Sequence, residues 1–326
     1  MKKHIALLLL SPLLLCAVAC GSKENKTEPM DKDTSSDTTP DTKPVPKDLG
    51  TCDVILISGQ SNAVGCTHSV YLADTMGADK YDEYFSGYPT IQIAYDCWTK
   101  DGFDTGNFTY YSQNVSRKND FVKVTLGQGN GHETFGPEIG IAEAMHEKYA
   151  NKLFLIKYAC GASNLKDDWT KRNSPMYPRF IEYVKLQMNN LKEKGYTPTI
   201  KAFCWMQGEG DSYGPDYYDV YQDNLREFVG NVRTDLKELA GNKDMPFIDA
   251  GISNASVWPR PEKVNEAKVA FAAESENNYF IDTIAAGLHT DKEPLGGSAD
   301  LAHYDSESQI QLGHLFAEAF EPFLEK

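Results

Sequence analysis

Basic residues are scarce in this sequence of 326 residues: 32 Lys and Arg stand against 47 Asp and Glu, giving a formal net charge of −15. A chain with this charge is poorly suited to binding nucleic acid or an anionic lipid surface. The seven cysteines include no pair with the spacing of a zinc site. No internal repeat is apparent. We therefore expect neither a bound metal nor a repeat architecture.

Apolar residues are almost absent between residues 21 and 50, which consist mainly of Ser, Thr, Asp, Lys, Glu and Pro. Such a segment cannot offset the entropy cost of ordering, so we expect a flexible spacer. Before it, two lysines precede an apolar run over residues 5–15, and small residues precede Cys20. This order is typical of a signal peptide. It resembles a bacterial lipobox, in which Cys20 becomes lipidated; an ordinary signal peptide with a chance cysteine is the alternative.

The chain is thus predicted to comprise a lipoprotein signal peptide (1–19), a lipidated Cys20 with a disordered tether (20–50) and a domain (51–326). We expect an exported protein held on a lipid bilayer through Cys20. If the source has two membranes, the outer membrane would carry it on its periplasmic or cell-surface face. Diacylation of Cys20 would give the two chains that stable anchoring needs. Export also permits a disulfide, and Cys66 with Cys97 is the candidate pair.

Alternating strand-like and helix-like patterns in residues 51–326 predict an α/β fold. The predicted strands cover residues 54–57, 153–158, 200–206, 247–252 and 279–282. The predicted helices start near residues 137, 178, 216, 261 and 306, with Ser306 and Gln309 as a capping box for the last one. This order indicates a three-layer αβα sandwich with a central parallel sheet, and a loop-rich insertion over residues 66–135 after the first strand. Functional residues are then expected after the carboxyl ends of strands.

A candidate nucleophile directly follows the first predicted strand, in the sequence Gly59-Gln60-Ser61-Asn62. A serine placed where a strand becomes a helix exposes its hydroxyl, and its own N–H can face a developing oxyanion. Residue 63 is alanine, so the G-x-S-x-G elbow of α/β-hydrolases does not fit. A helix-capping serine is the alternative interpretation of Ser61.

A candidate base lies in Asp300-Leu301-Ala302-His303, just before the last predicted helix. A catalytic histidine needs an acceptor on its second ring nitrogen, and an aspartate three residues earlier can supply it on one tight loop. An incidental Asp and His on a surface loop are the alternative. His289, with Asp291 nearby, is the rival base, but it lacks this spacing.

Candidate oxyanion donors follow two other strands. A side-chain amide at Gln207 can donate to an oxyanion, and a glycine at 161 allows a close approach of its backbone N–H. A buried amide and a simple turn glycine are the respective alternatives.

These blocks resemble the SGNH hydrolase superfamily, and within it the branch of sialate O-acetylesterase-like and acetylxylan esterase-like carbohydrate esterases. The similarity rests on five motifs in family order: GQSN at 59–62, GPE at 136–138, K-Y-A-x-G-x-S-x-L at 157–165, W-x-Q-G-E-x-D at 205–211 and D-x-x-H at 300–303. Cys160 and Ala63 depart from the branch, which often has glycine and methionine there.

The resemblance implies a serine esterase that removes O-acetyl groups from a carbohydrate, an acetylated polysaccharide or sialic acid, without a cofactor or metal. Its catalytic residues would be Ser61, His303 and Asp300, and its oxyanion donors Ser61, Gly161 and Gln207. The supporting residues would be Gln60, Asn62, Glu138 and Glu209. The candidate sugar-stacking residues include Trp98, Trp169 and Trp258. An inactive glycan-binding lipoprotein on the same fold and an esterase for other short-chain acyl esters are the alternatives.

Overall fold

The structure is a computed structural model that describes residues 47–102, 106–110, 120–295 and 298–324. The predicted signal peptide, Cys20 and most of the tether lie outside the described residues. Within them, no helix combines the length and the apolar character that a membrane crossing requires.

Apolar strands build the central sheet. The described residues contain twelve strands: β1 (Gly50–Gly59), β2 (Thr67–His68), β3 (Tyr88–Lys100), β4 (Phe108–Tyr110), β5 (Val122–Val124), β6 (Thr134–Phe135), β7 (Leu153–Gly161), β8 (Tyr196–Met206), β9 (Phe247–Ala250), β10 (Asn278–Ile281), β11 (Pro294–Leu295) and β12 (Ser298–Ala299). Eight of them form one sheet in the order β10-β9-β8-β1-β7-β3-β4, with β5 also paired to β3.

The core of this sheet is parallel. Strand β1 lies between β7 and β8, and all three run in the same direction. Every residue of β7 is buried, which is the pattern of a strand covered on both faces. Only β4 and β5, at the edge beyond β3, pair in the antiparallel sense. The carboxyl ends of β1, β7 and β8 therefore meet at one edge of the sheet.

Nine α-helices are described: α1 (Ser61–Val64), α2 (Leu72–Met76), α3 (Ala78–Ser86), α4 (Glu138–Met145), α5 (Tyr177–Lys194), α6 (Pro215–Tyr218), α7 (Tyr221–Asp235), α8 (Pro261–Ala272) and α9 (Ser306–Phe320). Short 3-10 turns cover Ser69–Tyr71, Gly210–Tyr213 and Glu321–Phe323, and a π turn covers Leu165–Trp169. The predicted fold class is confirmed: helices flank a central, mostly parallel sheet.

Two elements differ from the sequence prediction. The insertion after β1 supplies β3, a 13-residue strand of the central sheet, which was not predicted because Gln92 and Asp96 interrupt its apolar run. The predicted long helix from residue 216 is divided into α6 and α7, with Asp219 and Val220 between them.

Two local predictions were wrong. No disulfide joins Cys66 and Cys97, and all five cysteines of the described domain are thiols. The cap residue of α9 is Asp305, so Ser306 and Gln309 do not form a capping box. The Gln309 amide instead donates to the Asn62 carbonyl oxygen over 2.9 Å, which ties the last helix to the turn beside Ser61.

Candidate active site

The Ser61 turn begins where β1 ends. Gly59 has φ of 139°, a conformation that suits glycine alone. A Cβ at this position would lie 1.9 Å from the Met206 carbonyl oxygen, and the Gln60 N–H donates to that same oxygen. Ser61 then opens α1 and is 8% exposed. The close approach of β1 and β8 thus sets the position of Ser61.

Replacing Gly59 with alanine is expected to lower kcat by about 100-fold, because the Cβ must push the Ser61 turn away from Met206 by about 1 Å. Gly77→Ala is the matched control: Gly77 also has a positive φ, of 92°, but a Cβ there meets nothing within 4 Å. Steady-state kinetics of both variants checks this prediction. Equal losses in the two would mean that backbone strain alone, and not displacement of Ser61, is responsible.

The residues on either side of Ser61 hold neighbouring loops. The Gln60 Oε1 accepts the N–H groups of Gly208 (3.3 Å) and Gly210 (3.2 Å). The Asn62 amide donates to Glu209 Oε1 over 2.8 Å, and its oxygen accepts the Tyr304 N–H over 3.1 Å. Asn62 therefore links the Ser61 turn directly to the residue after His303.

Glu138, the fourth predicted supporting residue, lies beneath the Ser61 turn. It forms an ion pair of 2.8 Å with Lys157, and both side chains are fully buried. Lys157 also donates to the Val64 carbonyl oxygen over 3.0 Å, at the last residue of α1. Breaking such a pair is costly because one charge stays buried alone. Glu138 therefore supports α1 from inside the protein, without reaching the cleft described below.

His303 and Asp300 form a pair on one tight loop. The His303 Nδ1 lies 2.6 Å from Asp300 Oδ2, and the Ala302 N–H donates to the other carboxylate oxygen. Burial raises the pKa of Asp300, but the bond to His303 outweighs it, so this pKa lies below its usual value. Burial lowers the pKa of His303, yet the neighbouring Cys66 and Asp300 overcome it and raise that pKa. Asp300 thus favours the protonated imidazole.

Ser61 and His303 line the same cleft, which has a volume of about 440 Å³. This volume lies in the range of small-molecule sites. The other lining residues come from the ends of β3 and β7, from loops, and from the neighbours of the two candidates: Gln60, Cys66, Thr99, Asn130, Gly161, Ala162, Tyr213, Val257, Trp258 and Ala302. Seven separate stretches of the chain therefore meet around one opening.

Gly161 and Ala162 bring the end of β7 to this cleft. Ala162 has φ of 56°, a left-handed conformation that is uncommon for a residue with a Cβ. Strained backbone of this kind is concentrated at functional sites. Gly161 thus lines the same cleft as Ser61, and donation of its N–H to an oxyanion stays a prediction.

Gln207 lies behind the cleft, not on its wall. Its side chain is fully buried, and its Nε2 donates to Asp211 (2.6 Å), Gln60 (3.2 Å) and the Ser163 carbonyl (3.4 Å). Its oxygen accepts the Tyr221 hydroxyl over 3.0 Å. Burial raises the pKa of Asp211 to about 7. This arrangement matches the alternative of a buried amide, and donation by Gln207 to an oxyanion stays a prediction.

We expect Gln207 to act through Gln60, because the Gln207 amide holds the side chain that braces the Ser61 turn. Gln60→Ala and Gln207→Ala should each lower kcat, and the double variant should be no slower than the slower single one. Steady-state kinetics, with circular dichroism to verify folding, checks this. Multiplied effects in the double variant would mean that Gln207 acts independently of Gln60, as a direct oxyanion donor would.

The rival base lies in a separate cluster. His289 Nδ1 is bonded to Asp305 Oδ2 over 2.7 Å, not to Asp291. Among the described residues, His289, Asp291 and Asp305 are the one group whose potential ligand atoms are close enough, within 4.8 Å, to hold a metal ion. The Asp305 oxygens already accept the N–H groups of Lys292 and Glu293. His289 does not line the cleft with Ser61.

Of the three candidate tryptophans, Trp258 alone lines the cleft. Trp169 is fully buried and packs edge-on against Trp205 at 5.2 Å. The guanidinium of Arg179 lies 5.0 Å from the Trp98 ring centre. Sequence reasoning missed Asn130 and Tyr213 as wall residues: Asn130 lies in a segment without periodicity, and Tyr213 in a short 3-10 turn.

Comparisons with known proteins support the fold and the family of this chain. A probable carbohydrate esterase of Arabidopsis thaliana is 27% identical over 188 residues, which is 57% of this chain and 63% of that protein, so the match spans less than two thirds of the relative. The crystal structure of an Arabidopsis thaliana protein aligns with a TM-score of 0.57 at 22% identity, over 84% of this chain and 100% of that one. The structure of NanS aligns with a TM-score of 0.56 at 15% identity, over 86% of this chain and 98% of that one. Both share the fold.

The family of this chain is shown by a match to a sequence model of a protein family. The model described as carbohydrate esterase, sialic acid-specific acetylesterase, matches residues 51–321. These residues include all of the cleft and nearly all of the described domain. The chain therefore belongs to the sialic acid-specific acetylesterase family of carbohydrate esterases.

Proposed function

We propose that this chain is a serine esterase that removes O-acetyl groups from a carbohydrate through an acetyl-enzyme intermediate. The observation that carries the proposal is the shared cleft: Ser61 opens a helix on one wall, and His303, bonded through Nδ1 to Asp300, lies on another. Because Asp300 binds Nδ1, we assign the role of base to the other ring nitrogen of His303. The imidazole also has a side-chain hydrogen bond to Cys66, so the base must exchange this neighbour for the Ser61 hydroxyl during the reaction. Membership of a carbohydrate esterase family supports the substrate class.

In the first step, His303 takes the Ser61 hydroxyl proton while the serine oxygen attacks the acetyl carbonyl carbon. The negative charge that develops on the carbonyl oxygen is held by the N–H groups of Ser61 and Gly161. Asp300 stabilises the imidazolium that forms. The bond to the sugar oxygen then breaks, and His303 returns its proton to that oxygen, so that the sugar leaves as an alcohol.

In the second step, water hydrolyses the acetyl group on Ser61. His303 removes a proton from the water, whose oxygen attacks the acetyl carbon, and the same N–H groups hold the second oxyanion. Acetate leaves, and the Ser61 oxygen recovers its proton from His303. Apart from the acetyl ester, water is the only reactant that the two steps consume.

Acetate release from acetylated polysaccharides, together with p-nitrophenyl esters of increasing acyl length, tests the proposal. We expect acetate to be released from at least one acetylated carbohydrate, and acetyl esters to be cleaved faster than longer acyl esters. Equal or faster cleavage of long-chain esters would contradict an acetyl pocket. Carbohydrate binding without acetate release would favour an inactive glycan-binding protein.

The proposal includes export and anchoring through Cys20, on the strength of the basic start, the apolar run and the small residues before that cysteine. Expression of the full chain and of Cys20→Ser in a bacterial host, followed by metabolic labelling with palmitate, tests it. Labelled protein in the membrane fraction is expected for the parent chain alone. Label of equal strength in the Cys20→Ser variant would contradict the anchor.

A further inference from the structure

The cleft has a deep end and an exposed rim. Ser61 is 8% exposed at the deep end. On the same lining, Tyr213 is 50% exposed and Val257 38% exposed. Tyr213 and Val257 are the two exposed residues of the described lining, so they form the side of the cleft that is open to a sugar ring in solvent.

The rim is held in a fixed position. The Tyr213 ring meets Trp258 edge-on, with ring centres 6.2 Å apart and planes at 86°, and its hydroxyl lies 3.5 Å from the Val257 carbonyl oxygen. Trp258 itself is 7% exposed, and its indole Nε1 has no acceptor among the described residues. Edge-to-face packing of this kind favours one ring orientation over others.

The turn that carries Tyr213 also braces the nucleophile. It begins at Gly210, whose N–H donates to Gln60 Oε1, and it continues through Asp211, which is fully buried and accepts the Leu165 N–H over 2.9 Å. The exposed ring and Ser61 are thus positioned by the same short segment. The exposed ring of Tyr213 is therefore held at the edge of a cleft whose size is that of a small-molecule site.

We propose that Tyr213, with Val257 and Trp258 beside it, is the subsite for an uncharged pyranose ring that bears the acetyl group. This inference rests on the proposed esterase activity. The C–H face of a pyranose is apolar and packs on an aromatic ring, while its hydroxyl groups stay at the edge in water. Among the described residues that line the cleft, His303 is the one side chain able to carry positive charge, and the whole chain is acidic. These charges suit a neutral sugar better than a carboxylated one.

Three acetyl esters separate the effect of the sugar ring on binding from the effect of its charge. They are a mono-O-acetylated methyl xyloside, an O-acetylated sialic acid and ethyl acetate, which has no ring. Tyr213→Ala should raise KM for the acetylated xyloside about fivefold, since a stacked ring contributes about 1 kcal/mol. Kinetics on ethyl acetate should change less than kinetics on the xyloside, because ethyl acetate has no ring to contact Tyr213. Tyr213→Phe, which keeps the ring and loses the hydroxyl, should match the parent enzyme on all three esters.

Several results would overturn the subsite. An unchanged KM for the xyloside in Tyr213→Ala would show that the ring does not contact sugar. A parallel loss on ethyl acetate would show that Tyr213 only maintains the fold, and a Tyr213→Phe variant as impaired as Tyr213→Ala would assign the effect to the hydroxyl. A parent enzyme with a higher kcat/KM on the acetylated sialic acid than on the xyloside would contradict the proposal that the substrate is an uncharged sugar. Absence of acetate from all three esters would instead contradict the proposed esterase activity itself.

Discussion

Ser61→Ala is expected to lower kcat on p-nitrophenyl acetate by about 10⁴- to 10⁶-fold, the range for removal of a nucleophile from a serine triad. The alanine keeps the turn, because Gly59, Gln60 and Asn62 supply the contacts that hold it. Binding should therefore change little while the covalent route is lost. Steady-state kinetics with purified parent and variant enzyme gives the measurement.

Ser86→Ala is the control for this prediction. Ser86 is an exposed serine at the end of α3 and does not line the cleft with Ser61, so its kinetics should equal those of the parent. A Ser61→Ala variant that keeps more than a hundredth of the parent kcat would mean that another group performs the attack. Cys66, on the same cleft wall, would then be the first residue to test.

Asp300→Asn is expected to lower kcat by about 10⁴-fold, because an asparagine amide can hold the wrong tautomer of His303 and cannot stabilise the imidazolium. The control is Asp291→Asn. Asp291 is exposed and belongs to the cluster with His289, so its replacement should leave kcat unchanged. A loss in Asp291→Asn as large as that in Asp300→Asn would contradict a special role of Asp300 as the partner of the base.

The pH profile of Asp300→Asn adds an independent readout. The base must be neutral, so activity falls as pH drops through the pKa of His303. Asp300 raises that pKa, and its removal must lower it. The acid limb of kcat/KM should therefore move to lower pH in the variant, while kcat falls at every pH. An acid limb of kcat/KM at the same pH in the variant and the parent would show that the Asp300 charge does not change the pKa of the catalytic base.

The sequence predicts the fold class, which the structure confirms, and the candidate nucleophile and base, because each depends on a local pattern. Ser61 and Gly161 directly follow apolar runs that form β1 and β7, and Asp300 lies on the same tight loop as His303. Parallel strands bring their carboxyl ends together, so these neighbours in the fold follow from the order of strands and helices.

Other features depend on contacts that no local pattern contains. The inward orientation of Gln207 results from Tyr221 and Asp211, which lie on a later helix and a separate turn. Strand β3 carries the polar residues Gln92 and Asp96, which interrupt its apolar run. It is a strand because it pairs with β5 and β7, and its own sequence does not contain that information. Tyr213 reaches the rim of the cleft because Asp211 is anchored to Leu165. Such positions become evident only when distant segments are packed together.

Activation of Ser61 by His303 is tested most directly by covalent labelling with a fluorophosphonate, followed by digestion and peptide mapping. We expect the label on the Ser61 peptide of the parent enzyme, at a rate that rises with pH as His303 loses its proton. His303→Ala should label at least about 100-fold more slowly, as the loss of a general base implies. Label on a different residue, or equally fast labelling of Ser61 in His303→Ala, would contradict the account.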